Sequence, residues 1–221
     1  MKFIVPVKSD SNRIPNKNFC NFHEGKSLTD ILIEKILFVG RENIYISSND
    51  SSKKEIADKY ECNFVKRDEH LCNERDISYS FKNVILGIVS QLPEDEEYAY
   101  CTVTDPLFKD YEGAISVWEK EKKNHDSLVV VYPFKKYLLN ENYLPLNYGF
   151  GAWHSISQKL PTFFELAYSF SIFKRETAFN FGYVFGSNPL WYHAKNQHVD
   201  IDTVDDFEIA KIIYREKNRL D

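Results

Sequence analysis

The sequence has little that would commit it to a metal cluster, a disulfide framework or a membrane. Its four cysteines, Cys20, Cys62, Cys72 and Cys101, form no Cys-x-x-Cys pair and match no zinc spacing. That pattern points to a reducing cytoplasm in which each cysteine behaves as a small hydrophobe. The six histidines show no metal-ligand spacing, and no Ser-His-Asp or Cys-His arrangement stands out. No apolar stretch approaches the roughly 20 residues of a membrane span. The apolar run 3–7 gives way at once to polar residues, too short for the core of a signal peptide. Positive charge is not in excess either. The formal net charge is −5, which argues against nonspecific nucleic-acid binding while leaving room for a locally basic pocket. There is no internal repeat and no low-complexity linker.

What is present suits one α/β domain. With 221 residues, 43% of them hydrophobic, the chain can bury one sizeable core. Apolar runs and helical periodicities alternate along it. Strands are expected at 3–7, 43–47, 63–66, 98–103, 127–131 and near 199–201. Helices are expected at 27–38, 52–60, 78–91, 111–123 and from 204 or 205 to about 217. Such alternation predicts a largely parallel central sheet with helices on both faces. Ligands then sit at the carboxyl ends of the strands. Between about 134 and 171 the helical period is lost and Tyr, Leu, Asn, Gly and Pro dominate. This reads as an irregular insertion that covers the pocket, pairs with a second subunit, or both.

The first polar segment, Val7-Lys-Ser-Asp-Ser-Asn-Arg-Ile-Pro-Asn-Lys-Asn18, follows the first strand directly. Its three cations, Lys8, Arg13 and Lys17, and its backbone amides suit phosphate oxygens. It has no glycine and fits neither a Walker A loop nor a dinucleotide fingerprint. On composition alone it is equally a solvated surface loop. Near the C-terminus, Asp200 and Asp202 alternate with apolar residues, so in an extended segment both carboxylates point the same way and form a candidate hard-cation site. Asp205 and Asp206 fall where the first turn of the last helix would favour negative charge.

Arg13-Ile-Pro-Asn-Lys-Asn18 resembles the N-terminal signature of the cytidylyltransferases that make CMP-sialic acid, CMP-Kdo and related CMP-sugars. Four more blocks resemble that family in the same order: Ile46-Ser-Ser-Asn-Asp50; Arg67-Asp-Glu-His-Leu71 with Ser78; Cys101-Thr-Val-Thr-Asp-Pro-Leu107; and His198-Val-Asp-Ile-Asp-Thr-Val-Asp-Asp-Phe207. The departures include Lys8 for an Arg, Asp10 for a Gly and Thr102 for a Gln. The resemblance implies a Rossmann-like nucleotidyltransferase domain spanning residues 1–221, with 134–171 serving acceptor binding and dimerisation. It implies transfer of CMP from CTP, with Mg²⁺, to an acidic acceptor, and release of pyrophosphate. A 3-deoxy-ulosonic or sialic-like sugar acid is the favoured acceptor. The alternatives are a phosphorylated or phosphonate small molecule, or a nucleotide-binding relative without turnover.

Carried over residue by residue, the nucleotide contacts implied are Val7, Lys8, Ser11, Arg13, Lys17, Asn18, Arg67, Ser78, Thr102 and Asp105. Lys17 is the expected charge-stabilising group at the α-phosphate, and Asp202, with Asp200 and Asp105, the expected metal ligand. Lys135, in Pro133-Phe-Lys135, matches the lysine that holds the acceptor carboxylate. The family's arginine before Gln158-Lys-Leu-Pro161 is replaced by Ser157, and its Asn-Gly by Ala167-Tyr168, so Lys159 and Tyr168 join Lys135 as acceptor candidates. The expected partners are CTP, a small anionic acceptor and a second copy of the chain, in the cytoplasm, with no nucleic acid and no membrane.

Overall fold

A computed structural model describes residues 1–221 except 10, 12, 74–76, 78, 196, 220 and 221. The chain forms strands β1 (Lys2–Pro6), β2 (Ile44–Ser48), β3 (Asn63–Lys66), β4 (Glu97–Cys101), β5 (Ser127–Phe134), β6 (Phe163–Glu165), β7 (Phe170–Lys174) and β8 (Pro189–His193). Between them run helices α1 (Leu28–Ile36), α2 (Lys54–Tyr60), α3 (Phe81–Val89), α4 (Tyr111–Glu121) and α5 (Arg175–Phe181), and α6 (Val204–Asn218) closes the chain. Among the described residues the sheet order is β3-β2-β1-β4-β7-β5-β6, with β8 beside β5. The pairs β1–β2, β1–β4, β2–β3 and β5–β8 are parallel, and β7 is antiparallel to both β4 and β5. The sheet is therefore mixed and mostly parallel, as the alternating pattern predicts.

Period-two alternation divides the sheet's side chains between two cores. Phe3, Val5, Ala99 and Cys101 face one core with α1 and α4, while Ile4, Tyr98 and Tyr100 face the other with α3. The helices bury apolar residues against the sheet, and α1, α3 and α6 start on side-chain caps. In α1, Ser27 and Asp30 form a capping box, and Leu28, Ile31, Leu32 and Ile36 are buried. The α6 start repeats the device with Thr203 and Asp206, placing Asp205 and Asp206 in its first turn. The helix expected from 78 begins only at Phe81, because Ser80 is the residue whose side chain accepts the amide of Asn83.

Two parts of the chain depart from the sequence expectation. The segment 199–201 forms no strand. It has no ladder neighbour and is held instead by single contacts, with the Ile201 amide donating to the Thr104 carbonyl at 2.9 Å. Helix α5 and strand β8 were not foreseen. The irregular region 134–171 contains β6, two short 3₁₀ turns and an isolated bridge between Leu139 and Pro145. Strands β6 and β7 pair with successive halves of β5, but the register shifts by three residues between them. That break holds Ala167, Tyr168 (φ 55°) and Ser169 beneath the end of β4.

Candidate active site

The first loop is folded onto the sheet's carboxyl end by its own polar groups. The Val7 amide extends the β1–β2 pairing to Ser47, and the Ser9 amide donates to Asn49 Oδ1 at 3.2 Å. Ile14 is buried in the core, and Asn16 takes a left-handed conformation (φ 56°) that reverses the chain. Asn18 ties the loop shut: its Nδ2 donates to the Lys8 carbonyl at 3.1 Å, and its own carbonyl accepts from Thr29 Oγ1 at 2.7 Å. Each anchor uses backbone or a short polar side chain, which leaves the cationic side chains to point elsewhere.

They point into one cleft of about 280 Å³. Lys8, Ser11, Arg13, Lys17 and Asn18 line it together with Arg67, Thr102 and Asp202, so most of the implied nucleotide contacts converge from four separate segments. Ser78 lies outside the described residues. Val7 does not line the cleft: its side chain is in the core, and its carbonyl accepts Arg67 Nη2 at 3.2 Å. Two buried polar atoms of the cleft residues, Arg67 Nε and Asn18 Oδ1, have no hydrogen-bond partner. A buried atom left so is costly unless a ligand completes it.

The sequence did not single out the far wall of the cleft, built from Tyr79, Phe81 and Tyr100 with Leu71 and Cys72. Phe81 and Tyr100 pack edge to face at 6.1 Å. Aromatic walls beside Arg67 suit a planar, polar-edged base. The signal lay in Tyr100, on the strand face opposite Ala99, and in Phe81 at the first turn of α3. Burial pushes the Tyr100 hydroxyl up to about 12, so it is a neutral phenol.

At the other end Lys17 is buried, and its ammonium donates to the Ile201 carbonyl and lies 4.0 Å from Asp202 Oδ1. Burial lowers the Lys17 pKa, and Asp202 and Asp200 oppose that shift. Arg13 Nη2 bonds Asp202 Oδ1 at 2.7 Å, with the two side chains 61% and 48% exposed. A pair so open to water contributes little to stability and rearranges at low cost. Asp200 sits deeper and is hydrogen-bonded to Thr104; burial, reinforced by the Asp202 charge, raises its pKa. The two carboxylates share Lys17 as a neighbour and supply only oxygen donors, a set that fits a hard divalent cation.

Asp105, expected as a nucleotide and metal contact, is engaged by groups of the fold itself. It is 2% exposed. Its Oδ2 accepts Tyr132 Oη at 2.6 Å, Ser169 Oγ at 2.5 Å and His198 Nδ1 at 3.1 Å, and its Oδ1 accepts the Leu107 amide at 3.3 Å. Asp105 does not line the cleft. Burial alone would raise its pKa, but the bonds from His198, Ser169 and Tyr132 outweigh it and hold the carboxyl below its ordinary value. Such a group stabilises the fold above the ordinary carboxylate pKa, and that contribution is lost as pH falls through the depressed one. Asp105→Asn is expected to cost about 3 kcal/mol, because it removes a buried carboxylate charge to which three side chains hydrogen-bond. Urea unfolding at neutral pH checks this; a loss below about 1 kcal/mol would contradict the anchor role.

The three acceptor candidates do not meet in the cleft. Lys135 is exposed and its ammonium bonds the Gln158 carbonyl at 3.3 Å, and Lys159 is exposed on a 3₁₀ turn. Tyr168 turns inward: its carbonyl accepts Thr102 Oγ1 at 3.0 Å, its hydroxyl meets that of Tyr183, and its ring packs 6.1 Å from Phe81. It therefore supports the aromatic wall from behind. The left-handed backbone that Tyr168 adopts is one a glycine takes without strain.

Comparison with known proteins identifies the family. A family model described as cytidylyltransferase matches residues 2–218. The pseudaminic acid cytidylyltransferase of Campylobacter jejuni subsp. jejuni serotype O:2 is 26% identical over 222 aligned residues, covering 96% of this chain and 95% of that protein. Its counterpart from serotype O:23/36 is 27% identical with the same coverage. In fold, the chain is similar to a CMP:2-keto-3-deoxy-manno-octonic acid synthetase solved with CTP (TM-score 0.67, 11% identity, 98% of both chains). It is also similar to an apo UDP-glucose pyrophosphorylase (TM-score 0.61, 12% identity, 99% of both chains). With the match running over nearly its whole length, this chain belongs to the cytidylyltransferase family and is a CTP-dependent nucleotidyltransferase.

Proposed function

We propose that the protein transfers CMP from CTP to a sugar acid, with Mg²⁺, and releases pyrophosphate. The observation that carries this reading is the convergence of Lys8, Ser11, Arg13, Lys17 and Asn18 with Arg67 and Asp202 in one cleft that has an aromatic far wall. The cationic end suits a triphosphate, and the aromatic end, with the unpaired Arg67 Nε, suits a base. Transfer at phosphorus needs positioning and charge neutralisation more than a covalent intermediate. Lys17, held against the Ile201 carbonyl, brings a fixed positive charge to the α-phosphate. Arg13 leaves Asp202 and takes up phosphate charge, which frees the Asp202 carboxylate. Asp202 and Asp200 are the residues that would hold Mg²⁺, whose chemistry there is neutralisation of phosphate oxygens.

The acidic nature of the acceptor is supported by the named substrate of the Campylobacter relatives, pseudaminic acid. The test is a screen of acidic acceptors with CTP and Mg²⁺, starting from that acid and 3-deoxy-ulosonic acids, read by mass for a CMP conjugate. Conjugates formed only with phosphorylated or phosphonate acceptors would contradict the sugar-acid reading. A homodimer through the irregular region is part of the same proposal. It is supported by the apolar side chains that region exposes, among them Tyr143 (79%), Leu146 (59%) and Trp153 (83%). Sedimentation velocity at micromolar concentration is expected to give a dimer, and a monomer alone contradicts it.

A further inference from the structure

A second cavity, of about 540 Å³, opens where the ends of β5 and β8 meet β6. Tyr132, Lys136, Glu165, Lys195, Gln197 and His198 line it. The Asp105 network is the wall between this cavity and the nucleotide cleft. Thr104 lines the cleft, while Tyr132 and His198, both bonded to Asp105, line the second cavity. In this wall the Tyr132 and His198 rings stack at 4.2 Å and 18°.

One atom of that wall is unfinished. The His198 side chain is 8% exposed and its Nδ1 is engaged by Asp105, but its Nε2 has no hydrogen-bond partner. Its nearest charged neighbour, Glu165 Oε1, stands at 3.7 Å, beyond hydrogen-bond reach, on a side chain 55% exposed. Buried polar atoms are seldom left so, and a ligand group is a direct way to satisfy this one. The other lining groups are mixed in sign, with two ammoniums, one carboxylate and one amide around an aromatic face. Such a set suits a polyhydroxylated surface better than a phosphate, which would call for cations alone.

The two cavities are joined by the segment that carries the metal-ligand candidates. His198 and Asp202 are four residues apart, so their Cα atoms are separated by no more than about 14 Å whatever the local conformation. That short span puts the second cavity within reach of the tail of a sugar acid whose attacking oxygen lies near Asp202. We propose that this cavity is the subsite for the hydroxyl-bearing tail of the acceptor, with His198 Nε2 hydrogen-bonded to a tail hydroxyl. A hydroxyl both donates and accepts, so the match holds whether the ring is neutral, with Nε2 accepting, or protonated, with Nε2 donating. The inference rests on the sugar-acid reading and adds where that acid sits and what selects its tail.

The test uses the full-length protein, CTP, a sugar acid that the wild type turns over, and the same acid truncated in its tail. Gln197 is exposed at the cavity rim, and Gln197→Trp fills the opening. The KM for the complete acid is expected to rise about tenfold or more, the KM for CTP to stay within about twofold, and the truncated acid to be used equally by both proteins. Glu165→Ala, at a second exposed lining position, is expected to move the acceptor KM in the same direction. An acceptor KM within about twofold of wild type in both variants overturns the subsite, as does an equal penalty on the truncated acid. Those results leave the sugar-acid reading standing. A wild type that conjugates CMP to no sugar acid removes both.

Discussion

Lys17→Ala is expected to lower kcat by about two to three orders of magnitude while weakening CTP binding far less. The ammonium it removes is not one of several interchangeable loop cations. Lys17 is buried and held on the Ile201 carbonyl, so its charge is already in place before substrate arrives, and it acts in a water-poor site. Lys8, Ser11 and Arg13 line the same cleft, so ground-state attraction for the triphosphate survives the substitution. Lys17→Arg is not expected to restore the rate, because a planar guanidinium cannot take the place of a compact ammonium in a buried slot. Single-turnover rates with saturating CTP and acceptor, alongside CTP titration, separate the two effects. A kcat within about threefold of wild type would contradict the assigned role.

The second large effect is at Asp202. Asp202→Asn is expected to reduce kcat/KM by about a hundredfold or more and to raise the Mg²⁺ concentration that gives half the maximal rate. The change removes the charge from a half-exposed side chain whose only partners within 4 Å, among the described ion pairs, are Arg13 and Lys17. Stability should therefore move little. Asp105→Asn is the contrasting case, with stability lost and the Mg²⁺ midpoint of the remaining folded protein unchanged. If Asp202→Asn keeps the wild-type rate and Mg²⁺ midpoint, the ion is held elsewhere.

The contrast between these two aspartates shows what a sequence can disclose. Arg13–Asn18 was legible because the loop is contiguous and its chemistry lies in a few adjacent side chains. The place of Asp202 in the cleft was legible from the block 198–207, whereas Asp200, expected on the same side, does not line the cleft. The surroundings of Asp105 were not legible because its partners Tyr132, Ser169 and His198 are brought to it by three distant segments. No local pattern shows those partners. The same holds for Tyr168, whose inward position follows from the three-residue register break between β6 and β7.

Strands β1–β5 and five helices, α1–α4 and α6, were readable from periodicity because burial on one face imposes it. Segment 199–201 alternates as a strand does yet pairs with nothing, since alternation reports which side is buried and not whether a neighbour runs alongside. β8 begins on a proline and lies at the margin of the sheet, beside β5 alone, where the strand pattern is weakest. Tyr79, Phe81 and Tyr100 went unread as cleft residues because aromatic side chains on an apolar face look like core from sequence alone.

The central claim is that this cleft directs attack at the α-phosphorus of CTP in preference to other nucleotides. The most direct test offers CTP, UTP, ATP and GTP in equal competition, with an acceptor that the protein uses and with label in the α-phosphate. The account predicts that label enters the acceptor conjugate from CTP, in step with pyrophosphate release. Label transferred preferentially from another nucleotide, or pyrophosphate released without a labelled conjugate, would contradict it.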